Sequence, residues 1–224
     1  MKKKSPQTKK ADIRLVGYIE GAILPFYEKN LGSGRAEHVK YVIRRSLDFA
    51  KQINANLDMA YAVAAYHDVG LVNGRGDHEI TGARMLLNDK NIEKFFTPEQ
   101  MKTMAEAIQD HRASSKKEPR GIYGKIVANA DRHTDINDSL GIIYRYRKQR
   151  FPELTFDEIF EMAWKHICDL YGKNGNALRK TCFHDLEYEK FSAGMFEFTC
   201  DKQKFRKQFE LVNGQLSFSF SKAK

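Results

Sequence analysis

Six side chains of the kinds that bind metal ions are spaced through the N-terminal part of the chain: His38, His67, Asp68, His78, His111 and Asp131. Imidazole nitrogens and carboxylate oxygens are the ligands that borderline and hard divalent cations accept. Six such groups are more than one ion needs from a protein that also keeps a position open for water. The residue types therefore favour a two-metal hydrolytic centre, and so an enzyme.

The ends of helices are expected to bring these distant side chains together. His67 and Asp68 are adjacent in the sequence, so in mid-helix they would diverge by about 100°. At the end of a helix, just before Gly70, the chain can turn so that both face one ion. The Asp68 carboxylate has two oxygens and can bridge two ions, which an imidazole cannot do. His38 lies one residue before Val39 of an apolar stripe, which places it at the border of the core.

Apolar residues at helical spacing predict helices through most of the chain. The predicted helices cover residues 12–27, 36–53, 59–67, 78–87, 98–111, 122–132, 139–149 and 156–171. Thr97 with Gln100 and Thr155 with Glu158 have the spacing of capping boxes, and Asp58 is the expected N-cap of the third helix. Beyond residue 174 the pattern weakens, and Asn213 followed by glycine allows either a small hairpin or a helix end.

Composition limits the class of protein. The chain has 224 residues, a net charge of +9 and 42% hydrophobic residues, which is enough for a real core. No apolar run approaches the roughly 18–20 residues that cross a bilayer, and the basic start lacks the apolar segment of a secretory signal. Three widely spaced cysteines without a CxxC pair favour a reducing cytoplasm. The basic charge can attract polyanions, but no RNA-binding motif or zinc finger accompanies it, so specific nucleic-acid binding is not expected.

The order of the metal-binding residues resembles the HD superfamily of metal-dependent phosphohydrolases. The resemblance covers about residues 35–135 and rests on three matches: His38, the segment AAYHDVG with His67 and Asp68, and ANADR with Asp131. It implies an all-α fold, an HD-domain helical bundle with additional C-terminal helices. It also implies that these two histidines and two aspartates are metal ligands.

Two further segments are similar to the dinuclear branches of that superfamily. HEITGA contains His78 and AIQDH ends in His111, and in the dinuclear branches two additional histidines hold a second ion. Those branches include diadenosine-tetraphosphatase-like proteins, HD-GYP cyclic-dinucleotide phosphodiesterases and mixed-valent diiron oxygenases. Leu71 stands where the HD-GYP branch often has a lysine, and the GYP segment is absent, which argues against a cyclic-dinucleotide substrate. The resemblance implies two divalent ions, drawn from Fe, Mn, Co, Zn or Mg.

The predicted reaction is hydrolysis of a phosphate ester or anhydride by metal-activated water, and by resemblance the substrate is a small phosphorylated molecule such as a nucleotide. His67 and Asp68 are the central catalytic residues in this prediction. Cationic side chains beside the predicted ligands are candidates for holding phosphate, because the planar guanidinium donates two parallel hydrogen bonds. These candidates are Arg75, Arg112, Lys116 and Arg132, of which Arg75 and Arg112 are also assigned a catalytic role.

Two other functions fit the same residues. A diiron oxygenase of the HD superfamily would hold iron with the same six ligands and use O₂ in place of water. A non-catalytic module would sense a nucleotide or bind RNA through its basic ends. The expected organisation is a disordered basic tail (1–11), an HD-type metal-binding helical domain (12–150) and a helical extension packed on the same core (151–224), with homodimerisation possible.

Overall fold

The computed structural model describes residues 10–32, 34–112, 117–175 and 182–221, with side chains up to residue 214. The described residues form helices joined by short turns, and they contain no strand, so the predicted all-α fold is confirmed. Within these ranges, none of the helices combines the length and the apolar character that a bilayer crossing requires. The predicted basic tail lies mostly in residues 1–9, which are outside the described residues.

The chain forms two compact units, Met1–Asp131 and Arg132–Lys224. This division falls closer to the N-terminus than residue 150, where the sequence suggested a boundary. Residue 150 ends a helix that packs against other helices of the second unit. All six predicted metal ligands belong to the first unit.

The first unit is built around one short, buried helix. Its helices are α1 (Ile13–Tyr18), a π-helical segment (Ile19–Ile23), α2 (Leu24–Leu31), α3 (Arg35–Gln52), α4 (Leu57–Tyr66), α5 (His78–Asn88), α6 (Pro98–Asp110) and α7 (Ile122–Ala130), with 3-10 turns at Val69–Asn73 and Ile92–Phe95. Helix α4 is rich in alanine and aromatic residues, and nearly every residue in it is buried. It lies against α3, α6 and α7, so the ends of these helices meet beside the end of α4.

The π-helical segment changes which residues of the first helices face the core. Leu15, Ile19, Ile23 and Tyr27 are buried, at a constant spacing of four residues. A regular α-helix would instead place Phe26 on that stripe, but the wider π turn brings Tyr27 inward. The hydroxyl of Tyr27 then donates a hydrogen bond of 2.9 Å to the carbonyl of Ala65, in the last turn of α4.

Helix caps explain most of the boundaries in the first unit. Thr97 and Gln100 form the predicted capping box at the start of α6. The expected cap at Asp58 is wrong: the side chain of Asn56 accepts hydrogen bonds from the backbone of Asp58 and Met59 and is the N-cap of α4. The carboxylate of Asp58 accepts instead from the backbone N–H of Asp12, 2.7 Å away, because α1 begins beside it.

The second unit packs around aromatic side chains. It contains α8 (Ile136–Arg150), α9 (Phe156–Tyr171), α10 (Leu186–Cys200) and α11 (Lys202–Ser221). Thr155 and Glu158 form the second predicted capping box, at the start of α9. The buried aromatic residues of this core are Tyr144, Phe160, Tyr188, Phe191, Phe198, Phe205 and Phe209.

The possible C-terminal hairpin is wrong, because α11 continues through Asn213 and Gly214. Phe205 and Phe209 lie four residues apart on the buried face of α11, and Asn213 continues this spacing. The buried amide of Asn213 donates to the carbonyl of Phe209 at 3.1 Å, as a helical residue can. Helical packing of this face therefore overrides the turn preference of the Asn-Gly pair.

Candidate metal centre

Each predicted metal ligand lies at the end of a helix or in its first turn. His67 is the C-cap of α4, and Asp68 follows it directly. His111 is the C-cap of α6, and Asp131 is the C-cap of α7. His78 is the first residue of α5, and His38 lies in the first turn of α3. The convergence of helix ends on the buried helix α4 therefore brings all six side chains to one place.

The six side chains form two groups that share Asp68. One group contains His38, His67 and Asp68, and the other contains Asp68, His78 and His111; within each group the ligand atoms lie within 4.8 Å of one another. Asp68 Oδ2 is 3.6 Å from His67 Nε2. Its other oxygen, Oδ1, is 3.5 Å from His78 Nε2 and 3.6 Å from His111 Nε2. The two oxygens of one carboxylate thus serve different groups.

Asp131 completes the first group. Its Oδ1 lies 3.0 Å from His38 Nε2 and 3.6 Å from His67 Nε2. The end of α7 that carries Asp131 is held by Arg45, whose buried guanidinium donates a 2.7 Å hydrogen bond to the carbonyl of Ala130. Arg45 follows His38 by seven residues on α3, so both lie on the face of α3 that meets α7.

The three buried histidines turn the same ring nitrogen toward the centre. The Nδ1–H of His67 donates to the carbonyl of Ala64 at 2.7 Å, and that of His111 donates to the carbonyl of Ile108 at 2.6 Å. His78 Nδ1 lies 3.2 Å from the carbonyl of Arg75. A backbone carbonyl can only accept, so in the neutral form of each ring Nδ1 carries the proton and the lone pair on Nε2 turns toward the centre.

Two features indicate that cations fit these residues. Among the described residues, His67 Nε2 is buried and has no hydrogen-bond partner, which is costly for a polar atom unless an ion satisfies it. The Nε2 atoms of His78 and His111 are 3.3 Å apart, so two lone pairs face each other when both rings donate through Nδ1. Ligand atoms about 2.1 Å from a shared ion lie roughly 3–3.5 Å apart, close to these separations.

Neighbouring charges shift the pKa values of the histidines and aspartates in the centre. Burial lowers the pKa of the His67 imidazole, but the carboxylates of Asp68 and Asp131 outweigh burial and raise that pKa to about 9. Burial favours the neutral form of Asp68, yet the imidazoles of His67 and His111 hold its pKa below the usual range. The pKa of Asp131 is likewise lowered, since the imidazoles of His38 and His67 outweigh its burial. The centre therefore carries negative charge that a cation would neutralise.

Solvent reaches the centre from one side. The side chains of His38 and Asp131 are each 26% exposed, whereas that of His67 is fully buried. The side chains of His78 and His111 are 8% and 2% exposed. Within the first unit, the His38–Asp131 edge is thus the more open edge, and the His78–His111 edge is the closed one.

The predicted phosphate-binding cations differ in their surroundings. Arg75 is exposed in the loop before α5. Arg112 Nη1 donates to the carbonyl of Gly76 at 2.8 Å and lies 3.2 Å from a carboxylate oxygen of Glu79. The guanidinium of Arg132, in the second unit, lies 4.8 Å from the centre of the Tyr188 ring. Lys116 is outside the described residues.

Three supporting residues were not found from the sequence. Glu79 lies 3.3 Å from His78 Nδ1, Arg45 holds the end of α7, and Tyr27 supports the last turn of α4. Burial of Tyr27 and the nearby Asp68 carboxylate both raise the pKa of its hydroxyl, which therefore stays neutral. The sequence contained a pattern that could have identified two of them. Glu79 directly follows the predicted ligand His78, and Arg45 lies on the same helical face as His38.

Comparison with protein families agrees with this geometry. Residues 35–135 match the family model of the HD domain. This range includes all six side chains of the candidate centre. Comparisons with curated proteins and with solved structures give no significant match.

Proposed function

Residues 35–135 of this chain are an HD domain, and we propose that the protein is a metal-dependent phosphohydrolase with two divalent ions in one centre. HD domains are typical of metal-dependent phosphohydrolases. One observation carries the proposal of two ions: the two oxygens of Asp68 face two different groups of ligands. A single-ion site would need only one of these groups.

The residues divide into two sets of ligands with Asp68 between them. His38, His67 and Asp131 would hold one ion, while His78 and His111 would hold the other. When bound, divalent ions lower the pKa of water toward about 7 and neutralise charge on phosphoryl oxygens. The hydrogen bonds from Nδ1 to backbone carbonyls fix the rings, so the chain presents its donors without rearrangement.

The exposure of the centre supports a direction of substrate entry. A phosphate group would approach along the His38–Asp131 edge, because the opposite edge is closed by buried imidazoles. Arg75 is exposed, but its carbonyl lies 3.2 Å from His78 Nδ1, on the closed side, so as a phosphate-binding residue it would hold a part of the substrate away from the entry edge. The substrate we propose is a small phosphorylated molecule, with nucleotides the leading class, met in the cytoplasm.

The central test replaces Asp68 with alanine in the full-length chain. We expect loss of both ions, measured by elemental analysis, and loss of phosphatase activity against a panel of nucleotides with Mn, Co, Fe, Mg and Zn. Asp48→Ala is the matched control, because Asp48 is a half-exposed carboxylate of α3 that pairs with Lys51. An Asp68→Ala protein with full activity would contradict the mechanism.

Oxygen dependence separates this proposal from the diiron oxygenase. Hydrolysis proceeds equally under air and under nitrogen, and it releases phosphate or a phosphorylated product without oxidation of the substrate. A product formed only in air by iron-loaded protein would favour the oxygenase. Nucleotide binding that persists in EDTA without turnover would favour the non-catalytic sensor.

A further inference from the structure

We propose that Glu79 is a positioning residue for the second metal ion, acting through His78 and itself held in place by Arg112. The inference rests on the proposed two-ion centre and deepens it. Glu79 follows His78 in the first turn of α5, and its side chain is only 15% exposed. It lies outside the six predicted ligands, yet it is in contact with one of them.

The carboxylate of Glu79 makes two contacts in different directions. Oε2 lies 3.3 Å from His78 Nδ1, on the side of the ring away from the centre. Oε1 lies 3.2 Å from Nη1 of Arg112, and the same nitrogen donates to the carbonyl of Gly76 at 2.8 Å. Arg112 thereby ties Glu79 to both the end of α6 and the loop that precedes α5.

This arrangement makes His78 different from the other two buried histidines. Nδ1 of His67 and Nδ1 of His111 meet backbone carbonyls at 2.7 and 2.6 Å. Nδ1 of His78 is farther from its carbonyl, at 3.2 Å, and has a carboxylate oxygen at nearly the same distance. A carboxylate behind a metal-binding imidazole orients the ring and makes its other nitrogen a stronger donor.

In this proposal Arg112 holds the carboxylate of Glu79 in position. Its guanidinium neutralises Glu79 and fixes the rotamer that reaches His78, so it acts on the second ion rather than on a phosphate. A merely structural ion pair would stabilise the fold without changing the two ions unequally. Unequal loss of the two ions is therefore the measurement that identifies a positioning role.

The test is calorimetric titration of Mn²⁺ into the metal-free, full-length protein. We expect two binding steps in the wild type. In Glu79→Ala one of the two steps falls by about 10- to 100-fold while the other is unchanged, since loss of such a partner costs about that much affinity. Glu79→Gln keeps an oxygen that accepts from Nδ1–H but loses the charge. Its Mn²⁺ affinity in the affected step should therefore lie between those of the wild type and Glu79→Ala. Arg112→Gln should change the same step in the same direction.

Glu99→Gln is the matched control, because Glu99 occupies the first turn of α6 and is exposed. It should bind both ions like the wild type. Equal weakening of both steps in Glu79→Ala, no weakening, or only one ion in the wild type would overturn the inference. Circular dichroism of the metal-free variants reports folding. If Glu79→Ala does not fold, the Mn²⁺ titrations of Glu79→Gln and Arg112→Gln test the inference in its place. Two ions in the wild type without hydrolysis of any phosphate would overturn the proposed function alone.

Discussion

At the scale of single residues, His67 shows how burial and charge combine in this centre. The ring is fully buried, and burial alone would favour the neutral form, but Asp68 and Asp131 raise its pKa from 6.5 to about 9. In the metal-free protein this shift stabilises the fold fully below about pH 6.5, and the contribution is lost as pH rises through 9. A cation can replace the proton, because both satisfy the same carboxylates.

Metal binding should therefore release protons. With a pKa of about 9, His67 of the metal-free protein is expected to carry a proton on Nε2 at pH 7, and an ion needs that nitrogen unprotonated. We expect the affinity for Mn²⁺ to rise by up to about tenfold per pH unit between pH 6 and 8. Calorimetry in buffers of different ionisation enthalpy measures the number of protons released. An affinity that does not change over this range would contradict the exchange of proton for metal.

Arg45 should contribute to both stability and metal binding. Arg45→Met keeps much of the packing but removes the charged hydrogen bond to the carbonyl of Ala130. We expect the free energy of unfolding, measured with denaturant, to fall by about 2 kcal/mol. The affinity of the centre should fall as well, because Asp131 follows Ala130. Arg44→Met, at an exposed position on the same helix, should leave both quantities nearly unchanged.

At the scale of elements, the ends of helices are what bring the donors together. The turn after Asp68 must pass close to the start of α5, and Gly70 makes this possible. A Cβ atom on Gly70 would collide with the carbonyl oxygen of His78 and lie 2.6 Å from the backbone nitrogen of Gly82. The short distance between the His67–Asp68 pair and His78 therefore requires glycine at position 70.

Gly70→Ala should therefore disturb the second group of ligands. We expect a loss of about 1–3 kcal/mol in the free energy of unfolding, because the backbone of α5 must move. Of the two Mn²⁺ binding steps, the one that Glu79→Ala weakens should be weakened more than the other. Gly76→Ala serves as the control, since a Cβ there meets nothing within 4 Å. Equal behaviour of the two variants would show that the close approach is unimportant.

At the scale of the whole molecule, the proposed metal ligands all precede the second unit in the chain. All six donors precede Arg132, where the second compact unit begins. A fragment of residues 1–135 should therefore retain both ions, as measured by elemental analysis, provided that circular dichroism shows it to be helical. A folded fragment without metal would mean that the second unit is needed for the centre.

Much of the fold could be predicted from local patterns. Thr97 with Gln100 and Thr155 with Glu158 start helices as expected, because a capping box is satisfied within four residues of chain. Asn56 rather than Asp58 caps α4, since Asp58 is engaged by the distant backbone of Asp12. The first buried stripe differs from that of a regular α-helix, because the π-helical segment turns Tyr27 inward, where it bonds to Ala65 of α4.

Local sequence patterns identify the chemical groups that are available: histidines and aspartates in the order of an HD domain, each near a helix end. Their grouping, in which the two oxygens of Asp68 face different sets of imidazoles, follows from the packing of the helices. Packing also places other side chains beside these residues, such as Glu79 next to His78 and Arg45 at the end of α7 that carries Asp131. Helix caps and apolar stripes depend on residues close together in the sequence, so local patterns predict them. The contacts within the centre join helices that are distant in the sequence and meet only when the core packs.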